Sequence, residues 1–192
     1  MVILLTIVSA AGAYAATGGP VFIQQPYEGP VITRIISDVT FELTPRATFS
    51  IDAVVKGVKP YSDGQFGWIM PYDLVLTWGK LTEPALIHCI NYSQSDRQYQ
   101  FSYTGCPADE YYVRTHSTNA HAVPANEQIA EGMRQIRIDS QVSMAGYLVD
   151  IGWKSGMMRY WINTSLLRDD TGIGGCEIMY IERLTIDGTT FQ

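Results

Sequence analysis

Two histidines five residues apart are the side chains in this sequence best suited to metal chemistry. His116 and His121 enclose a short polar segment, and an extended or looped backbone could bring both imidazoles to one point. Zinc in proteins takes three or four such ligands. A further ligand could come from Cys176, Glu177, Asp169 or Asp170. One hypothesis is therefore a metal-binding protein or metal-dependent hydrolase with zinc at His116 and His121. In the alternative, both rings hydrogen-bond to loop backbone ahead of Pro124.

Nucleophilic catalysis needs a serine or cysteine beside a base, and the sequence shows no complete set. Ser117 follows His116 directly, but neighbours along a strand point to opposite faces. Cys176 follows two glycines, which would suit a reactive thiol, whereas a thiol buried on a core strand is more common. No Gly-x-Ser-x-Gly elbow occurs. No catalytic residue and no resident cofactor are therefore predicted.

The chain has three cysteines. Cys89 and Cys106 flank a tyrosine-rich stretch that is typical of a hairpin, and a disulfide between them would close a loop of moderate length. Cys176 would then be left over. The other two pairings, and three free thiols, stay open.

An aromatic group in the last quarter of the chain is a candidate interface. Trp153, Tyr160 and Trp161 bracket a short segment that contains Gly156. Exposed on the surface, these rings would mark a contact with another protein. In the alternative, a hairpin packs them inward.

Composition limits the classes of function. The chain has 192 residues, of which 46% are hydrophobic and 17% charged, and this is enough to bury the core of about one domain. Thirteen basic residues stand against nineteen acidic ones, a net charge of −6, and no run of Lys or Arg occurs. Because a nucleic-acid-binding face is normally basic, nucleic acid is not an expected partner.

The N-terminus predicts the compartment. Residues 2–16 carry no charge and taper from leucine, isoleucine and valine to Ala13-Tyr14-Ala15-Ala16, which fits a signal peptide that is cleaved, or a short membrane anchor if it is retained. A membrane-spanning helix needs about 20 residues. We therefore expect an exported, periplasmic or envelope-associated protein, with membrane contact through residues 2–16. Residues 17–45 are rich in glycine and proline and indicate a linker or an extended segment, followed by a single β-rich domain over residues 46–192.

Hydrophobic patterning predicts the fold. Strands are expected at 49–53, 73–78, 85–92, 98–103, 141–149, 158–163 and 176–184. Ile129, Met133 and Ile136 form one apolar stripe, which predicts a helix over about 125–137. A helix between two groups of strands is typical of a small OB-like antiparallel barrel. The fold class is thus β-rich α+β, an OB-like barrel or a sheet with one covering helix.

Several motifs resemble an uncharacterised family of bacterial envelope-associated proteins. They are His116-Ser-Thr-Asn-Ala-His-Ala-Val-Pro-Ala-Asn126, Gly146-Tyr-Leu-Val149 and Ser165-Leu-Leu-Arg-Asp-Asp-Thr-Gly-Ile-Gly-Gly-Cys-Glu177. The similarity begins at Tyr72 and leaves residues 1–60 outside it. It implies an exported single domain and no particular activity. Ile138-Asp139-Ser140 departs from the pattern at the start of the strand after the helix.

The expected function is that of a non-catalytic exported envelope protein, an accessory or structural subunit of a membrane-associated assembly. Its expected partners are other envelope or membrane proteins. Three or more donor side chains within coordination distance around His116 and His121 would favour the metal-dependent alternative. Hydrogen bonds from both rings to the main chain would favour the non-catalytic function.

Overall fold

The computed structural model describes residues 21–62, 64–103, 105–169 and 175–192. The predicted leader, residues 1–16, and the candidate metal ligand Asp170 lie outside the described residues. In the part that is described, no helix has the length and apolar character needed to cross a bilayer.

Strands dominate the described residues. They are β1 (Phe22–Pro26), β2 (Ile32–Ile36), β3 (Val39–Pro60), β4 (Tyr72–Thr77), β5 (Ile90–Ser95), β6 (Gln98–Tyr103), β7 (Ser117–Pro124), β8 (Gln141–Ser155), β9 (Met158–Ile162), β10 (Ile178–Ile186) and β11 (Thr189–Phe191). The helices are α1 (Gly64–Ile69), α2 (Glu110–Thr115) and α3 (Glu127–Gln135), with a 3-10 turn at Gly79–Thr82.

Five strands form a ring in the order β3, β4, β7, β10, β8 and back to β3. Within the ring only the β7–β10 pair is parallel. Along the chain the ring strands follow in the order β3, β4, β7, β8, β10, and α3 connects the third, β7, to the fourth, β8. This is the connectivity of an OB-fold. The ring is unevenly closed, because β3 and β8 pair over thirteen positions whereas β7 and β10 pair over four. The predicted β-rich α+β fold is therefore confirmed.

Strand β3 is long because its alternation of apolar and polar residues runs almost unbroken. The odd-numbered residues from Phe41 to Ile51 are buried, while the even-numbered residues between them are exposed or half-buried. Pro45 stands at a register shift against β8, the kind of irregularity at which a strand tolerates proline. The single strand can consequently pair with β1, β2, β4 and β8 along its length.

The prediction of a linker over residues 17–45 was wrong for its described part. Residues 22–26 and 32–36 are strands, and residues 39–45 begin β3. Pro26 ends a strand, and Gly29 and Pro30 lie between strands, so these residues punctuate the sheet instead of forming a linker. The β-rich domain therefore begins well before residue 46.

The covering helix α3 lies within the predicted range. The Asn126 side chain caps its first turn by accepting from the backbone N–H of Ile129 at 2.9 Å. Ile129, Met133 and Ile136 are buried in the core that the ring encloses. Truncating a buried side chain of this size to alanine typically destabilises a protein by about 2–5 kcal/mol. The packing of these three side chains therefore holds the helix against the ring.

Two segments differ from the expected pattern and both matter for the site. Residues 83–89 form hydrogen-bonded turns, so β5 begins only at Ile90. Residues 117–124, which were expected to be a loop, form the central strand β7. Because β7 is buried on both faces, its sequence shows no apolar and polar alternation that could reveal it.

Candidate functional site

A row of polar side chains crosses three neighbouring strands on the outer side of the ring. Asp73 on β4 stands directly opposite His121 on β7. His121 is in turn paired with Ile178 on the parallel strand β10. Cys176 lies two positions before Ile178, in the bend that leads into β10, and its side chain lines the same cavity as His121. The sheet thus brings together a carboxylate, an imidazole and a thiol.

The imidazole of His121 is bound to the Asp73 carboxylate. Its Nδ1 lies 2.8 Å from Oδ1 of Asp73, a carboxylate that is only 1% exposed. Arg97 donates from Nη1 to the same oxygen at 2.9 Å, and Asn119 donates from Nδ2 to the other oxygen at 3.4 Å. A buried carboxylate is stable only when it is paired and hydrogen-bonded in this way. Asp73 therefore fixes which ring nitrogen of His121 faces inward.

Arg97 lies at the turn between β5 and β6, and its side chain has three partners, one of which is Asp73. It donates to the carbonyl of Met70 at 2.9 Å and stacks 3.6 Å above the ring of Tyr61. Asp96 and Arg97 both have positive φ, as a two-residue hairpin turn of this kind requires. The β5–β6 hairpin, which lies outside the ring, therefore places the Arg97 guanidinium against the Asp73 carboxylate.

Asn119 is placed by a second residue of the same hairpin. Gln94 donates from Nε2 to Oδ1 of Asn119 at 2.8 Å and to the carbonyl of Asp73 at 3.2 Å. Asn119 is completely buried, and its Nδ2 donates to the carbonyl of Arg97 at 3.1 Å. The orientation of this amide is therefore set by partners on both sides.

Cys176 is half-buried at the open side of the row. Its thiol donates to the carbonyl of Arg97 at 3.7 Å, and it lines the same cavity as the His121 imidazole, whose pKa it helps to raise. Asn119 Nδ2 lies 4.0 Å from the Cys176 sulfur. The thiol thus has a base and an amide donor beside it, which is the environment a nucleophilic cysteine requires.

Main-chain bonds on both sides fix the position of Cys176. Its carbonyl accepts from the backbone N–H of Ser165 at 3.0 Å, and the carbonyl of Glu177 accepts from the backbone N–H of His121 at 2.8 Å. The Glu177 carboxylate is buried and is bound by Thr118 and Arg168. The segment before β10 is therefore anchored to β7 next to the thiol.

The two histidines have opposite pKa shifts. Burial lowers the pKa of His121, but the hydrogen bonds and charges of Asp73 and Cys176 outweigh burial and raise that pKa to about 9. For His116, burial lowers the pKa more than its bond to the Tyr112 carbonyl raises it. His121 is therefore cationic at neutral pH, so its ring can act as a proton donor.

A cavity of about 250 Å³ opens onto the thiol and the imidazole. Its apolar wall is Phe66, Met70, Ile162 and Ile178, and its polar lining is Asp96, Arg97, Gln98, Asn163, His121 and Cys176. Phe66 and Met70 come from the connection between β3 and β4, and Ile162 and Asn163 come from the connection between β8 and β10. Ligands of OB-folds bind between these two connections.

The structure does not bring His116 and His121 to one point. His116 caps the end of α2, where its ring stacks 3.7 Å from Tyr112 and its Nδ1 lies 3.0 Å from the Tyr112 carbonyl. His121 has the separate partners described above. Across the described residues, no group of three or more His, Cys, Asp and Glu side chains is placed to hold a metal ion. The two rings therefore offer no shared zinc site in the part of the chain that is described.

A disulfide joins Cys89 to Cys106, one of the pairings that the sequence allowed. It ties the turns before β5 to the segment that leads into α2. Cys176 is the free thiol.

The predicted aromatic interface divides into two parts. Trp153 is only 3% exposed and packs against Phe41, Phe66 and Tyr160, so its assignment to an interface was wrong. It faces inward because its position on β8 shares the side of buried Ile151. Tyr160 and Trp161 are exposed.

Sequence reasoning missed that Asp73, Arg97, Asn119 and Cys176 join His121 in one cluster. The available signal was the cysteine that an 89–106 disulfide leaves over, because a thiol without a partner can be reactive. The strand pairing that places Asp73 beside His121 is not encoded in any local motif.

No family model matches the sequence, and no curated protein or solved structure is significantly similar to it. The resemblance to bacterial envelope-associated proteins accordingly stays a prediction. What the fold and site define is an OB-type ring with a cysteine, a histidine and an aspartate in one row at its ligand-binding end.

Proposed function

We propose that this protein is a thiol-dependent acyl-transfer enzyme, a hydrolase or transferase in which Cys176 is the nucleophile. The row of Asp73 on β4, His121 on β7 and Cys176 in the bend before β10 supports this proposal. The same three types of side chain carry nucleophilic catalysis on unrelated folds, where geometry and not order in the sequence defines the roles.

Each member of the row has a role in the proposed reaction. The Cys176 thiolate adds to the carbonyl carbon of an ester, thioester or amide, and the His121 imidazolium gives its proton to the leaving oxygen, sulfur or nitrogen. The acyl group is then a thioester on Cys176. Water or an acceptor amine attacks it, His121 takes the proton from that nucleophile, and the thiolate leaves. Asp73 holds the ring and stabilises its cationic form.

The cavity and its surroundings fit this chemistry. Its apolar wall can receive the acyl chain, and its polar lining surrounds the Cys176 thiol and the His121 imidazole. Arg97 and Asn119 position Asp73 by donating to its two carboxylate oxygens. The proposed substrate is therefore an acyl compound with a small apolar portion.

Intact-mass spectrometry after incubation with p-nitrophenyl acetate tests this function. Because the other two cysteines are joined in a disulfide, an acetyl adduct on a cysteine must lie on Cys176. We expect one acetyl group on the native protein at pH 7, and none on Cys176→Ala. His121→Asn should lower the acylation rate at least tenfold, and His116→Gln should leave it unchanged.

Two results would contradict the proposed function. One is acylation of the unfolded protein at the rate of the folded one, which would mean that the fold does not activate the thiol. The other is equal acylation of His121→Asn and the native protein.

We also retain, as a second proposal, an exported non-catalytic component of an envelope assembly. Two observations favour it: the disulfide, which is typical of oxidising compartments, and the exposed Tyr160 and Trp161 on β9. Fractionation of cells with a C-terminally tagged chain should recover it in the envelope or periplasm, and crosslinking in membranes should link it to another envelope protein. Recovery in the cytosol with no crosslinked partner would remove this proposal.

A further inference from the structure

A second cavity lies at the β8–β9 hairpin, on the side opposite to Ile162. In it the indole of Trp161 lies flat over Gly152. Trp161 stands across from Gly152 on the neighbouring strand. A Cβ atom on Gly152 would lie 2.4 Å from the indole ring, so the ring rests where that side chain would be. The Trp161 indole N–H also donates to Oδ1 of Asn163. One face of the indole is therefore fixed on the sheet, and Trp161 as a whole is 49% exposed.

Charged and hydroxyl groups surround this platform on three strands and a turn. Glu42 stands opposite Gly152 on β3, Arg159 stands opposite Lys154 across β8 and β9, and Asp38 lies at the β2–β3 turn. Together with Thr40 and Trp153 they line a cavity of about 400 Å³. Among the described residues, none of these four charged side chains makes a hydrogen bond or an ion pair. Their donors and acceptors are thus available to a ligand.

The combination of groups is selective for one ligand chemistry. A β-linked pyranose ring presents a flat face of C–H groups that stacks on an indole, and its rim carries hydroxyls that need both donors and acceptors. Glu42 and Asp38 accept, and Lys154 and Arg159 donate, around the exposed face of Trp161. The cavity volume lies at the lower end of the usual range for ligand sites, about 300–1,000 Å³, which suits one or two sugar rings.

Single-stranded nucleic acid is the other ligand that stacks on exposed aromatic rings. Such sites follow the backbone with a positively charged groove over several nucleotides. Here two carboxylates balance two cations around the platform, and the whole chain has a net charge of −6. The charges therefore favour a carbohydrate.

We propose that Trp161, with Glu42, Asp38, Lys154 and Arg159, forms a binding site for a β-linked oligosaccharide. The site is separate from the thiol cavity and does not depend on the proposed acyl transfer. It adds a second binding activity to a chain whose first cavity carries the nucleophile.

Calorimetric titration of the full chain with triacetylchitotriose tests the site. We expect saturable binding, at least tenfold weaker for Trp161→Ala and weaker for Gly152→Ala, whose added methyl group must lift the indole from the sheet. Trp68→Ala is the matched control, because Trp68 is exposed on α1 outside the cavity, and it should bind as the native protein does. Thermal unfolding of each variant confirms that it is folded.

Three outcomes would overturn the carbohydrate site. They are no saturable binding of triacetylchitotriose at millimolar concentration, equal binding by folded Trp161→Ala, and preferential binding of an oligodeoxythymidine. Neither these outcomes nor the supporting ones depend on Cys176, so Cys176→Ala should bind the sugar with unchanged affinity.

Discussion

Asp73 and His121 stand opposite each other on β4 and β7, and a 2.8 Å contact between Oδ1 and Nδ1 joins their side chains. On a sheet, residues directly opposite on adjacent strands are the closest side-chain neighbours. The pairing therefore orients the imidazole through the register of two strands, and the thiol of Cys176 lines the same cavity as the ring.

Alkylation of the single free thiol should be fast and should depend on His121. Under the proposed function His121 activates the thiol, so iodoacetamide should modify Cys176 at pH 6 roughly tenfold faster in the native protein than in His121→Asn. Peptide mapping by mass spectrometry measures the two rates. Equal rates at pH 6 would show that the imidazole does not act on the sulfur.

Stability should fall as pH rises through the range in which His121 loses its proton. Its pKa is raised from 6.5 to about 9 in the folded protein, so the imidazolium contributes fully below pH 6.5, and that contribution is lost as pH rises through about 9. A shift of this size corresponds to at most about 3 kcal/mol. Urea unfolding at pH 6 and pH 9.5 measures the difference.

The control for this pH dependence is His121→Asn, which has no imidazole at that position. The free energy of unfolding of this variant should change less between the two pH values than that of the native protein. A native protein that is equally stable at pH 6 and pH 9.5 would contradict the raised pKa.

Asp73→Asn should destabilise the fold as well as lower acylation. The substitution removes the charge that pairs with Arg97 and His121, both mostly buried, and a broken buried pair typically costs about 3–5 kcal/mol. Urea denaturation gives the change in unfolding free energy. Glu110→Gln, which breaks an exposed ion pair with Arg114, is the comparison and should have little effect. A similar effect of the two substitutions would show that Asp73 is not an anchor of the cluster.

The disulfide should stabilise the region that carries β5 and α2. Cys89 and Cys106 are 17 residues apart, and closing a loop of that length contributes about 3 kcal/mol in the chain-entropy model. The Cys89→Ser/Cys106→Ser double variant should lose about that much unfolding free energy. Thiol titration of unfolded, unreduced protein should detect one thiol per chain. A count of three would mean that the disulfide does not form.

Local pattern was enough to predict the fold class. The apolar stripe of Ile129, Met133 and Ile136 predicts α3, and the alternation in residues 49–53 and 98–103 predicts strands, because each signal depends on neighbours within a few residues. The same reasoning failed for β7, whose residues are buried on both faces. It also failed for residues 22–45, where glycine and proline stand between strands.

The sequence by itself determined a β-rich domain with a covering helix, one cysteine pair able to close a hairpin, and an acidic net charge. The tertiary structure alone decided that His121 belongs with Asp73 and Cys176, not with His116. The physical reason is that the local chain makes His116 the C-cap of α2 and puts His121 on β7. Strand pairing then brings distant residues to His121: Asp73 is paired with it directly, and Cys176 lies two positions before its other partner, Ile178.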